Sequence, residues 1–171
     1  TAHDERTRLF YEDRDTFLAV LMGECGLFRW NAEGENRKAV IRLNGTSDLR
    51  WEELFPSLFT LVPAQYHDYT KHFDRMERFL DSAPSVPWPE NYYLTFSRSE
   101  NNSKYCLQVL GMGGNVAVVF RKKPFPERFW DYPVIDGDTH DLRFLDPSPC
   151  IVGLSAKGRA RTEETGFTVD V

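Results

Sequence analysis

Val116-Ala117-Val118-Val119-Phe120 is apolar throughout and stops at Arg121-Lys122-Lys123. A strand apolar on both faces marks the interior of a parallel sheet, which is covered on both sides. Four further runs have the same form. Tyr92-Tyr93-Leu94-Thr95-Phe96 gives way to Ser97-Arg98-Ser99-Glu100, and Gln65-Tyr66-His67 to Asp68-Tyr69-Thr70-Lys71. Ala39-Val40-Ile41-Arg42-Leu43 runs into Asn44-Gly45-Thr46-Ser47-Asp48, and Ile151-Val152-Gly153-Leu154 into Ser155-Ala156-Lys157-Gly158. Polar groups thus collect past the carboxyl ends of the strands, where parallel sheets carry their chemistry.

Strand starts near residues 39, 64, 91 and 115 leave gaps of 25, 27 and 24 residues, each holding a helical pattern. That is a β/α rhythm. Phe17, Leu18, Leu21, Cys25 and Phe28 predict a helix over about 13–30, capped by Asp15 or Thr16, with a polar turn over 31–36. Trp51 to Phe55 reads as a helical turn that Pro56 ends or restarts. Phe73, Met76, Phe79 and Leu80 form a second stripe, and Pro84, Pro87 and Pro89 break the chain after it. Asn101-Asn102-Ser103 is placed to cap a helix carrying Tyr105, Leu107, Val109 and Leu110, closed by Gly111, Gly113 and Gly114. Residues 124–149 read as irregular, and 159–171 as a loosely held tail or an edge strand over 166–171. The fold class expected is α/β: a partial (β/α) barrel or an open parallel sheet of about five strands with alternating helices. It forms a single domain over 1–171. A full eight-stranded barrel takes about 250 residues, so the expectation includes a missing N-terminal β/α segment.

The composition is that of a globular chain: 171 residues, 41% hydrophobic and 27% charged. A net charge of -5 argues against broad nucleic-acid binding, which needs an excess of Lys and Arg. No apolar run approaches the roughly 20 residues that span a bilayer, so no membrane partner is expected. Cys25, Cys106 and Cys150 lie far apart and are odd in number, which fits neither a disulfide framework nor a zinc site. Buried thiols in a reducing cytoplasm are the expectation.

Each polar tip has a chemical and a structural reading. Asn44, Thr46 and Asp48 offer an amide, a hydroxyl and a carboxylate to a ligand, and the same groups suit a helix-capping turn. Lys71 and Lys157 are the candidate acids or electrostatic partners, with Asp48 as the third catalytic candidate. Ser97, Arg98 and Ser99 set a guanidinium fork between hydroxyls, apt for phosphate or carboxylate; pairing with Glu100 competes. Arg121 emerges at the same rim, and Ser155 completes the substrate-binding set, whereas Lys122 and Lys123 read as surface charges. Asp136, Asp138 and His140 are candidate metal ligands for Mg²⁺, Mn²⁺ or Zn²⁺, and an aspartate-rich turn explains their spacing as well. Phe129, Trp130 and Tyr132, within 125–133, form a candidate docking surface for a protein partner.

Taken in order, Arg42 to Asp48, Asp68 to Lys71, Leu94 to Glu100, Asn115 to Phe120, Gly137 to Pro147 and Ile151 to Gly158 form a series. The series resembles bacteriophage gene-product proteins similar to radical-SAM barrels. The resemblance implies a phage origin, a barrel-type fold and a place in the host cytoplasm or the virion. It also implies an upstream cysteine segment that would carry an iron–sulfur cluster and S-adenosylmethionine. That segment is absent from this sequence, and Cys25 and Cys106 do not replace a closely spaced triplet. Two functions follow. One is an enzyme or enzyme remnant binding an anionic or nucleotide-like molecule at the strand ends. The other is a non-catalytic interaction or virion-associated protein on the same scaffold.

Overall fold

The strands are ordered β1-β2-β3-β4-β7-β6-β5, in a seven-stranded sheet that is mostly parallel, with β5 antiparallel to β6, and open rather than closed. Of the two architectures expected, the open sheet is the one formed. The computed structural model describes residues 2–81, 83 and 85–170, so Thr1, Ser82, Pro84 and Val171 lie outside the described residues. The chain divides into two compact units.

The first unit comprises Thr1–Leu43, Leu49–Tyr66 and Pro89–Tyr92. It holds α1 (Ala2–Glu12), α2 (Arg14–Gly34), β1 (Val40–Ile41) and the short helices α3 (Trp51–Leu54) and α4 (Leu58–Leu61). Asp13 caps α2 by accepting the Thr16 amide at 3.1 Å, in place of Asp15 or Thr16. The cap residue must be non-helical, and Asp15 and Thr16 already lie in the first turn. The helix also runs four residues past the expected Trp30, to Gly34. The Arg29–Glu33 pair at 2.7 Å supports that turn, and Asn36, at φ 56°, ends it in the left-handed region. Phe17 stacks on the buried Trp51 and meets Phe10 edge-on. Phe59 packs between Tyr66 and Tyr92. β1 pairs in parallel with the start of β2 (Gln65–Thr70), Val40 beside Gln65.

The second unit comprises Asn44–Asp48, His67–Trp88 and Tyr93–Val171. It contains α5 (Phe73–Leu80), most of β3 (Tyr92–Ser97), α6 (Ser103–Gly111), β4 (Val116–Phe120) and β7 (Ile151–Ser155). β4 and β7 run in parallel register over five residues, from Val116 beside Ile151 to Phe120 beside Ser155. Leu94, Phe96, Val116, Val118, Phe120, Ile151 and Val152 are wholly buried, as are Met76 of α5 and Val109 of α6.

Residues 124–149 are more ordered than their prolines suggest. β5 (Arg128–Phe129) and β6 (Tyr132–Asp136) form a hairpin, and β6 then adds to β7 in parallel, raising five expected strands to seven. The turn uses Trp130 and Asp131 at φ 49° and 61°, the paired left-handed residues of a tight hairpin. Pro133 is tolerated because β6 joins the β7 ladder only from Val134 onward. Phe125 and Phe129 both pack on the buried Phe120, so part of the expected docking surface anchors the hairpin. The segment read as tail or edge strand makes one parallel bridge, Phe120 beside Val169.

Truncating Leu94 to Ala removes a fully buried side chain and is expected to cost about 2–5 kcal/mol. Leu107→Ala, on a residue 45% exposed, is expected to cost under about 1 kcal/mol. Urea unfolding at constant m-value checks the contrast.

Candidate functional site

The strand ends of the second unit are built around carboxylates held from several sides. Asp68, buried in β2, accepts the Asn44 amide N–H at 2.7 Å and the Asn44 Nδ2 at 3.2 Å. Ser47 Oγ donates back to Asn44 Oδ1 at 2.8 Å. Asp48 lies four residues further along the same loop. It accepts Thr70 Oγ1 at 3.1 Å, the Lys71 amide at 2.8 Å and Arg75 Nη1 at 3.1 Å. His72 Nε2 lies 3.8 Å from the same carboxylate. The Arg75 side chain is 0% exposed against 27% for Asp48, so the pair supplies a buried cation with its counter-charge. Asn44 and Asp48 are thereby fixed, whereas Thr46 stands exposed at the loop tip. Lys71 is exposed, its ammonium 5.5 Å from the Phe167 ring.

At the end of β3, Asn102 holds the turn into α6. Its side chain accepts the Ser99 amide at 2.7 Å and donates to the Ser97 carbonyl at 3.0 Å, instead of capping the helix. Ser99 is buried in that turn, and Ser97 is half-buried. Arg98 reaches across to the chain's last segment, where Nη1 donates to the Gly166 and Phe167 carbonyls at 2.9 and 2.8 Å. Arg121 does likewise. It donates to the Arg161 carbonyl at 2.7 Å, the Glu163 carbonyl at 3.0 Å and the Asp170 carboxylate at 2.7 Å. Both guanidinium forks expected to bind an anion thus hold oxygens of the chain itself.

The aspartate-rich turn has its own cation. Lys123 Nζ sits 2.7 Å from Asp136 and 3.2 Å from Asp138. Asp138 also accepts Ser155 Oγ at 2.5 Å and the Ser155 amide at 3.1 Å, with Lys157 Nζ at 3.6 Å. Burial pushes the Asp138 carboxyl up, but the hydrogen bonds from Ser155 and Lys123 outweigh it and hold it below the ordinary value. His140 Nδ1 instead accepts the Leu142 amide at 3.2 Å, beside the fully buried Arg143. Arg143 in turn lies 3.3 Å from Asp146, whose carboxyl burial pushes up. Asp136, Asp138 and His140 are not gathered on one point. Among the described residues no group of three or more His, Cys, Asp or Glu side chains is placed to hold a metal. The ammonium of Lys123 stands where a cation shared by the two carboxylates would stand.

Tyr69 Oη donates to Asp141 at 2.8 Å and ties this turn to the end of β2. Arg75 is a contributor that sequence reasoning passes over, Arg143 enters it only within the family series, and Asp68, Asn102 and Lys123 are read there only as a strand tip, a helix cap and a surface charge. Lys123 follows a strand end, a position that signals the rim, but Arg75 looks like any charged residue of an amphipathic helix. The three cysteines do not fit an iron–sulfur cluster. They are buried on separate elements, and burial raises their thiols to about 11 for Cys25 and about 12 for Cys106 and Cys150. Among the described residues no helix is long and apolar enough to cross a membrane.

Fold and rim together define an open-sheet α/β protein with a polar, internally paired set of strand ends. Its sequence matches the profile of the family described as Gene product 88 over residues 1–170, and the chain belongs to that phage-type family. No curated protein and no solved structure matches it.

Asp48→Ala leaves Arg75 buried without that carboxylate and is expected to cost about 3 kcal/mol. Asp136→Ala, from a pair in which both side chains are 42% exposed, is expected to cost under about 1 kcal/mol. Chemical denaturation of the two variants measures the difference. The last segment should also respond to acid. The Thr165 hydroxyl and the Thr168 amide hold the Glu163 carboxyl at about 2, against an ordinary 4.5. A depressed carboxyl stabilises fully above its unfolded value and ceases to as pH falls through its folded one. Protection of the Thr165 and Thr168 amides, measured against the intrinsic exchange rate at each pH, should therefore fall as pH drops from 4.5 towards 2.

Proposed function

We propose that this phage-type protein binds an anionic or nucleotide-like small molecule at the carboxyl ends of its strands, within the second unit. The observation that carries the reading is the placement of cations at four strand ends of that unit. Lys71 follows β2, Arg98 follows β3, Arg121 follows β4 and Lys157 follows β7. Lys71 and Lys157 are exposed and offer ammonium groups to a charged ligand. Arg98 and Arg121 supply planar donor forks that match phosphate or carboxylate oxygens. Asn44, Thr46, Ser97 and Ser155 contribute polar groups at the same ends. Asn44 and Ser155 are set by their hydrogen bonds to Asp68 and Asp138. Asp48 acts as the fixed acceptor that positions Lys71 through its amide. The reading places the protein in the host cytoplasm and leaves catalysis out.

Calorimetric titration with inorganic pyrophosphate, ATP and GTP tests it. Lys71→Ala and Lys157→Ala are each expected to weaken binding about five- to tenfold, more at low salt than at high. Lys38→Ala, in the first unit, is expected to leave binding unchanged. Absence of binding by every probe at millimolar concentration, or binding indifferent to both rim substitutions, overturns the proposal.

A further inference from the structure

We infer that residues 158–170 form a displaceable strap whose own oxygens occupy the donors of Arg98 and Arg121, so that a ligand reaches these arginines only by lifting it. The inference rests on the anion-binding reading above and adds a gate to it.

Several observations point the same way. Arg98 and Arg121 bond to four main-chain carbonyls and one carboxylate of the segment at 2.7–3.0 Å. Such an array of oxygens around two guanidinium groups reproduces what a phosphate or carboxylate ligand would present. The fit is incomplete. Arg98 Nε is buried and finds no hydrogen-bond partner among the described residues, a donor that the strap does not satisfy.

The strap is also held mostly by polar contacts. Among the described residues it joins the sheet through one bridge, at Val169, where Arg121 N donates to the Val169 carbonyl and Val169 N to that of Val119. Internally it is closed by the Glu163 carboxylate, which accepts the amides of Thr165 and Thr168 and the Thr165 hydroxyl, and by the Thr168 hydroxyl on the Ala160 carbonyl. Few buried apolar contacts and many exposed backbone bonds characterise segments that open locally. Gly158 at φ 56° and Gly166 at φ 88° sit in the left-handed region, one at the start of the strap and one before its bridge. A β-carbon added at either would meet nothing within 4 Å. Backbone freedom rather than packing accounts for glycine at both positions, as a hinge requires.

Hydrogen exchange of the full chain with and without inorganic pyrophosphate, paired with calorimetry on the wild type and Glu163→Ala, is the test. Glu163→Ala removes the strap's internal closure and the negative charge near Arg121, and keeps the Glu163 main-chain carbonyl that Arg121 engages. If the strap is open in about a tenth of molecules, freeing it raises pyrophosphate affinity by up to about tenfold. Exchange over 158–170 is expected to rise on pyrophosphate binding and to be already high in Glu163→Ala. Pyrophosphate binding that leaves strap exchange unchanged or slower overturns the strap and leaves the anion site standing. Tightening absent in a Glu163→Ala protein whose strap exchanges fast overturns it equally. Failure of pyrophosphate, ATP and GTP alike to bind either protein overturns the anion site and the strap together.

Discussion

The parallel pairing of β4 with β7 over five residues is the constraint on which the rest of the second unit depends. Parallel strands are solvated poorly on either face, so this pairing exists only because Val116, Val118, Phe120, Ile151 and Val152 are all withdrawn from water. Each such side chain contributes on the order of 1.5–3 kcal/mol, and the sum opposes the entropy of ordering two distant segments. The neighbouring features attach to it in turn. β6 adds to the far edge of β7, Phe120 receives Phe125 and Phe129, and the Phe120 carbonyl accepts the Ala156 amide that aims Lys157 outward. The last segment then bridges to Phe120 itself.

A parallel sheet delivers its strand ends to one side, and here those ends are crowded with charge. Magnitudes separate the charges that hold the fold from those that decorate it. An exposed pair such as Lys123 with Asp136 is screened by solvent and contributes little. Arg75 and Arg143 are different, because burying an uncompensated guanidinium costs several kcal/mol. Asp48 and Asp146 thus supply counter-charge to the buried cations beside them, whatever else Asp48 contributes. The same logic explains why the aspartate-rich turn does not gather around an open centre: its carboxylates are already compensated by Lys123 and by the Ser155 donors.

The sheet was legible because its signal is local. Val116 to Phe120 and Ile151 to Leu154 are apolar runs with abrupt polar ends, and both form strands within a residue of the expected bounds. β5 and β6 were hidden because Pro124, Pro126 and Pro133 argue against strands, and the hairpin becomes possible only where Phe120 offers a surface to its aromatics. Helix ends were misplaced by one turn for a related reason. The Arg29–Glu33 pair and Asn36 settle where α2 stops, and neither outweighs a polar run when read in one dimension. At the rim the residue types were legible and their partners were not. Arg98 and Arg121 read as anion binders from their position after strands, but what they bind in this structure lies 40 to 69 residues further along the chain. Only tertiary structure brings that segment to them.

An arginine bound to its own chain is not thereby lost to a ligand. The strap is an intramolecular competitor, and its strength is set by an effective concentration that short flexible connections place near the millimolar range. A ligand offering one oxygen to one arginine meets that competitor on equal terms. On the proposed reading, a ligand offering several oxygens at fixed spacing engages Arg98 and Arg121 together and adds Lys157, and lifting the strap takes the Phe167 ring away from the Lys71 ammonium. A polyphosphate or a multivalent carboxylate is on that reading preferred over a simple monoanion, because only the multidentate ligand gains more donors than the strap gives up.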